Sequence, residues 1–326
     1  MTNDDALTRS GALALGAAAA VLALVGPPAA ARADTGSSAG RSAFAVPAAT
    51  SSFALWGSSS MAGGLGDQGS PVRTYVHDLL VLAASPLPVH RHALGGTTSG
   101  YARIARGAAS PVVVPTGSSG GPVPVQVRTP CPPTRGIAIP GTVGMVHGTL
   151  RADGAAWTFE ADGQAAVPTG AFLSDWAGET HDSRHIVWTG KNNVTEVDRV
   201  LDDVEAIRAS ARDPESDVLV LGMWAAAADV RGSATRTAIA EIVDHQRSAY
   251  GARFLDVQEL LTGEAGLRSE AVAPLGLLER EDVRRDIAAG IVPSALVGAD
   301  GQHLNGWGNL VVGTALLERA RELAWL

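Results

Sequence analysis

The chain has 326 residues, 46% of them apolar, and a formal net charge of −8. That length accommodates one large α/β domain or two smaller ones, and the apolar fraction suits a chain that buries a sizeable core. The acidic balance excludes a protein built to grip a nucleic-acid backbone, which needs a basic face.

Residues 11–26, GALALGAAAAVLALVG, form an apolar run of 16 residues just after Arg9. PPAAARAD follows and supplies an Ala-x-Ala site at Ala31 and Ala33. This is the layout of a secretory signal peptide over residues 1–33, cleaved after Ala33. Asp4 and Asp5 are unusual in such a leader. The alternative is an uncleaved anchor, but the run falls short of the roughly 20 apolar residues a spanning helix needs. The expected mature chain is secreted and makes no stable membrane insertion. Residues 34–51 are small, polar and proline-bearing, and read as a linker.

SFALW, ending at Gly57, reads as a short buried strand. SPVRTYVHDLLVLAA has helical spacing at Val72, Val76, Leu79, Leu80 and Ala83, with Ser70 as N-cap and Pro71 as first helical residue. LPVHRHAL reads as a second strand, and TSGYARIARGA as a helix after the glycine turn Gly95-Gly96. From 110 to 184 the helical period disappears. PVVVP, VPVQV, GIAIPG, GTVGMVHGTL and AAWTFEAD are short strand-like pieces separated by turn residues. A stretch of this length far exceeds a βα connection and reads as an inserted β-rich subdomain.

The α/β pattern then resumes. RHIVWTG is a strand, and the helix TEVDRVLDDVEAIRASAR opens on a capping-box pattern at Thr195 and Asp198. SDVLVLGMW is a strand, TRTAIAEIVDHQRSAYG a helix, RFLDVQELL a short strand and NLVVGTALLERARELAWL a terminal helix. Strands alternating with helices predict a parallel sheet with helices on both faces, a three-layer α/β/α sandwich built from 52–109 and 185–326. The lone cysteine, Cys131, lies in the loop-like RTPCPPTR, has no partner for a disulfide and reads as an inert thiol.

Ligands of such sheets gather at the carboxyl ends of the strands. There the sequence places Gly57 with Ser58, Ser59 and Ser60; Gly95, Gly96 and Thr97; and Gly190, Lys191, Asn192 and Asn193. Asp300, His303 and Asn305 stand before the last helix. A serine, a base with an acid, and amide donors are the parts needed for acyl transfer. Taken singly, a serine run is a loop, Gly95-Gly96 a turn and Asn192-Asn193 a helix cap. Their convergence on one edge is what points to chemistry. A Gly-x-Ser-x-Gly elbow is ruled out, because position 61 is methionine.

These residues resemble the SGNH (GDSL-type) serine hydrolases. The first block of that family, Gly-Asp-Ser-x-x-x-Gly, is matched by Gly57, Ser58, Ser59 and Gly63. Its glycine block is similar to ALGGTTSG, its Gly-x-Asn-Asp block to GKNN, and its Asp-x-x-His block to Asp300 and His303. The resemblance implies a flavodoxin-like fold for 52–109 and 185–326, with Ser59, Asp300 and His303 as catalytic triad. It implies Ser59, Gly96 and Asn192 as oxyanion donors, and no metal or cofactor. Two positions depart from the blocks: Ser58 and Asn193 stand where the family carries aspartates. The implied activity is hydrolysis of a carboxylic ester through an acyl-enzyme. The expected substrate is an O-acetylated polysaccharide or glycan, with the insertion as a glycan-contacting lid. The alternatives are a lipase or thioesterase acting on longer acyl chains, and a non-catalytic carbohydrate-binding protein.

Other candidates carry blander readings. His90 and His92 have His-x-His spacing, but no further ligand cluster accompanies them. His181, Asp182 and His185 lie at the start of their strand, about 15 Å from the rim at some 3.3 Å per residue, and read as structural or exposed. Trp157, Phe159, Phe172 and Trp176 read as the insertion's small core before a sugar platform.

Overall fold

The computed structural model describes residues 52–63, 69–117, 121–163 and 165–326. The expected leader, 1–33, and linker, 34–51, lie outside the described residues. Five parallel strands form one sheet: β1 (Phe53–Gly57), β2 (Val89–Arg91), β9 (Arg184–Trp188), β10 (Val218–Leu221) and β11 (Phe254–Leu255). Across the sheet they run β11-β10-β9-β1-β2. Numbered in chain order, the strand order is therefore 2-1-3-4-5, and the winding reverses between β1 and β9.

Every residue of β1 and β10 is buried, as are the last four of β9. Such strands need continuous apolar runs, because helices cover both faces. Ala54, Trp56, Val187, Val218 and Val220 pack against α3 (Ser99–Ala105), α5 (Val197–Ala209) and α6 (Ala234–Tyr250). Phe53, Leu55, Ile186, Trp188, Leu219 and Leu221 share the opposite core with α2 (Val76–Ala84), α7 (Val257–Thr262) and α10 (Gly306–Glu322).

Six antiparallel strands occupy the inserted segment: β3 (Val112–Pro115), β4 (Val123–Arg128), β5 (Ala138–Val143), β6 (Val146–Ala152), β7 (Trp157–Ala161) and β8 (Gly170–Ser174). They close into a barrel in the order β3-β4-β7-β6-β5-β8. Val125, Ile139, Leu150, Phe159 and Phe172 fill its interior, as a barrel this narrow requires. Gly141 and Gly148 face each other across β5 and β6. A Cβ at either would strike the Phe172 or Phe159 ring, so the glycines make room for the two aromatics. Trp157 belongs to this core, whereas Trp176, on α4 (Trp176–Glu179), lies at its margin with its ring tilted against His92 at 4.3 Å.

Several sequence expectations are corrected. Helix α2 begins at Val76 with Tyr75 as N-cap, not at Ser70. The Val72 carbonyl lies so close to Gly306 that a Cβ there would collide with it, and this stretch crosses the start of α10 as irregular, non-helical chain. The cap of α5 is Glu196, with no side-chain cap bond from Thr195. RFLDVQELL divides at Asp256, whose carboxylate accepts from the Glu259 amide and starts α7. The hairpin GTVGMVHGTL contributes two strands, and β8 went unread because Ala171 and Leu173 point outward.

The barrel docks over a buried polar cluster. Ser174 donates to the Ala105 carbonyl at 2.7 Å, and Arg106 to the Ser210 carbonyl at 2.8 Å. His92 lies between Trp56, on which it stacks, and the tilted ring of Trp176, and the Trp56 indole N–H donates to His185 Nδ1 at 3.1 Å. An indole can only donate, so His185 is neutral. Burial, reinforced by Arg106 and His181, pushes the His185 pKa down to about 3. Burial, reinforced by His90, pushes His92 down to about 4.

An unfolded chain binds protons on these histidines below about pH 6.5, so stability falls as pH drops from there toward 4 and 3. The expected loss is on the order of a few kcal/mol. Urea midpoints at pH 7, 5 and 4 measure it, and His185→Gln, which keeps an acceptor for Trp56, flattens the trend. Among the described residues, no helix is long and apolar enough to cross a membrane.

Candidate active site

β1 ends on Gly57 because the Trp188 backbone of β9 lies where a Cβ would stand. The buried Ser58 then caps a single helical turn, α1 (Ser59–Ala62), closed by the Ala62 and Gly63 amides donating to the Ser58 and Ser59 carbonyls. As first residue of that turn, Ser59 has an N–H with no intrahelical acceptor. One turn sums few peptide dipoles, so the helix adds little of the field expected from a longer one.

The other half of the site comes from the loop before α10. Asp300 Oδ1 accepts from the Gln302 and His303 amides at 2.9 and 3.0 Å. The same carboxylate bonds His303 Nδ1 through Oδ2 at 2.6 Å. The three-residue spacing thus lets one side chain shape the turn and orient the ring it carries. Asn305 locks the loop: it caps α10 through the Trp307 and Gly308 amides and donates to the Ala295 and Val297 carbonyls. It is a structural residue, not part of the reacting group.

His303 Nε2 lies 2.8 Å from Ser59 Oγ. With Nδ1–H donating to Asp300, Nε2 is left to accept the serine proton. Partial burial pushes the Asp300 carboxyl upward, but the His303 and Gln302 amides and the His303 ring together hold it below the usual carboxylate range. Asp300 therefore stays ionised beside the ring.

The glycine loop lies against this pair. A Cβ at Gly95 would stand 3.8 Å from the Ser59 Cβ. Gly96 turns the chain with φ of 77°, a conformation that favours glycine. Asn192, on the 3-10 turn Lys191–Asn193, reaches over and donates through Nδ2 to the Thr97 carbonyl at 2.8 Å. Lys191 does not enter the site: it donates to Asp229 at 2.6 Å and to the Trp224 carbonyl at 3.0 Å, tying down the segment after β10. From the barrel, the loop between β4 and β5 abuts the same place, with the Thr134 methyl beside Gly96 and Cys131 beside Gly100. Burial pushes the Cys131 thiol up to about 11, so it is a poor nucleophile at neutral pH.

Beneath Ser59 is a narrow crevice of about 220 Å³, including its open mouth. Ser59 and His303 line it together with walls from Ser60, Tyr75, Trp188, Trp224, Leu304 and Asn309. The sequence reading missed these walls. Trp188 and Trp224 follow apolar strand runs and look like ordinary core; their place at strand carboxyl ends was the available signal. His90 and His92 stack on each other at 6.1 Å away from any carboxylate cluster, and His185 is held by Trp56. Among the described residues, no group of three or more His, Cys, Asp or Glu could hold a metal ion.

The structure thus brings Ser59, His303 and Asp300 into one hydrogen-bonded line at the sheet's switch point, with the Gly95-Gly96 turn packed against Ser59 and Asn192 held on Thr97. No family model matches the chain, and neither a curated protein nor a solved structure does.

Proposed function

We propose that the chain is a serine esterase of the SGNH type, on a flavodoxin-like three-layer fold. The observation that carries this reading is the unbroken line Asp300–His303–Ser59, with spacings of 2.6 and 2.8 Å. The 2-1-3-4-5 strand order supports the fold assignment.

In this reading His303 Nε2 takes the Ser59 proton as Oγ bonds to the ester carbonyl carbon. Asp300 holds the ring in place and stabilises its charged form. The carbonyl oxygen, now negative, is held by the Ser59 and Gly96 amides and the Asn192 side chain. The C–O bond to the alcohol breaks as His303 returns the proton to the leaving oxygen. Water, activated by the same ring, then releases the acid and restores Ser59. A protein that only bound carbohydrate would have no need of the aligned Asp300 and His303.

The crevice favours a short acyl group over a lipase substrate. Its 220 Å³ already counts the open mouth, and the Tyr75, Trp188 and Trp224 side chains among its walls leave a long acyl chain no enclosed channel. O-deacetylation of an exported or cell-surface polysaccharide is therefore the proposed reaction, with the barrel beside the glycine loop available to contact the glycan. Hydrolysis of p-nitrophenyl acetate, octanoate and palmitate, together with acetate release from an O-acetylated polysaccharide, tests it. The expected order is acetate far above octanoate and palmitate. Faster cleavage of palmitate, or no cleavage of any ester, contradicts the reading.

A further inference from the structure

We propose that Asn193, Ser99 and Asp203 form a positioning link that sets the spacing between the Asn192 side chain and the Gly96 turn. The link rests on the esterase reading above, because its purpose is to hold two oxyanion donors in register.

Adjacent asparagines on one tight turn grip the glycine loop at two points. Asn192 Nδ2 holds the Thr97 carbonyl, and Asn193 Oδ1 accepts from the Ser99 amide at 3.1 Å. Ser99 opens α3, whose N-cap, Thr98, makes no side-chain cap bond. Asn193 thus takes over the role of a cap from a distant part of the chain. Asn193 Nδ2 also donates to Ser99 Oγ at 3.1 Å, and that hydroxyl passes its only proton to Asp203 Oδ2 at 2.6 Å. Arg103 Nη1 completes the set, 3.0 Å from Asp203 Oδ1.

The chemistry of the two positions is complementary. Ser99 and Asp203 are 0% and 1% exposed, and a buried carboxylate must be paired and hydrogen-bonded. Asn193 uses both its acceptor and its donor, a pair that an amide supplies and an ionised carboxylate does not. A carboxylate at 193, as the Gly-x-Asn-Asp block would have it, would lose the donor. It would also crowd two negative charges around one hydroxyl. Here the carboxylate enters from α5 instead, and the amide at 193 complements it. Asp203 touches no reacting atom; it acts through Ser99 and the turn that follows Gly96.

Steady-state kinetics on p-nitrophenyl acetate with the full chain test the link, using Asn193→Asp, Asp203→Asn and the double variant. Each single change is expected to lower kcat about tenfold or more while KM stays within about twofold, because only the transition-state oxyanion feels the displaced donors. The double variant restores one amide and one carboxylate around Ser99, and its kcat is expected to return to within about threefold of wild type. Wild-type kcat in both single variants, or a double variant no faster than the worse single one, overturns the proposal. If a single variant fails to fold, Ser99→Ala serves, with reduced kcat at unchanged KM expected and wild-type kcat contradicting. A wild-type protein lacking hydrolysis that depends on Ser59 would instead sink the esterase reading itself.

Discussion

Ser59→Ala is expected to lower kcat for p-nitrophenyl acetate by about 10⁴-fold or more, as loss of a serine nucleophile does elsewhere. Ser58→Ala and Ser60→Ala retain substantial activity in the same assay. The discrimination follows from placement. Ser58 is buried as the cap of the turn, Ser60 lines the crevice, and only Ser59 meets His303 Nε2. The Ser59 hydroxyl fills no core position, so the variant keeps the wild-type melting temperature. Thermal melts recorded beside the kinetics separate lost chemistry from lost fold. A Ser59→Ala protein with full activity would remove the assignment.

Asn192→Ala carries the second large effect. Removing one side-chain oxyanion donor lowers kcat by about 10²–10³-fold, or roughly 3–4 kcal/mol of barrier. Asn192 is exposed and its side chain is anchored through the Thr97 carbonyl, so the fold tolerates the change. One amide hydrogen holds Thr97, and the second remains for the oxyanion. KM for the acetate ester is expected to move little, because the ground-state carbonyl bears little of the charge that this donor meets. A parallel rise in KM with unchanged kcat would recast Asn192 as a substrate-binding residue.

The rim of the site was legible because its parts announce themselves locally. Gly57 marks a strand end pressed against its neighbour, Gly96 a left-handed turn, and Asp300 a turn that needs a carboxylate three residues before His303. The last two are short-range constraints, and alternating strand and helix patterns carry all three to one edge. The sheet's central strands were legible for a related reason: burial on both faces leaves continuous apolar runs.

What the sequence hid depends on long-range pairing. Closure of the barrel needs β8, whose outward Ala171 and Leu173 blur its alternation. Residues 70–75 keep a helical pattern, yet they pass over Gly306 without forming a helix, Val72 lying against it. Asp203 sits in the acidic run DDVE and reads as one more solvated charge. Only the fold brings Ser99 and Arg103 to it. The crevice walls Trp188, the last residue of β9, and Trp224, just beyond β10, lie 5.3 Å apart between ring centroids and read as core until the sheet is assembled.

The central claim, that Ser59 is a nucleophile activated by His303, is tested most directly by covalent trapping. The full chain is incubated with a fluorophosphonate, whose phosphorus is attacked by an activated serine with loss of fluoride. Peptide mass spectrometry with fragmentation then distinguishes Ser58, Ser59 and Ser60. A single phosphonate on Ser59, absent from His303→Ala, is expected; an unmodified Ser59 in the active preparation, or an adduct carried elsewhere, rules out Ser59 as the nucleophile.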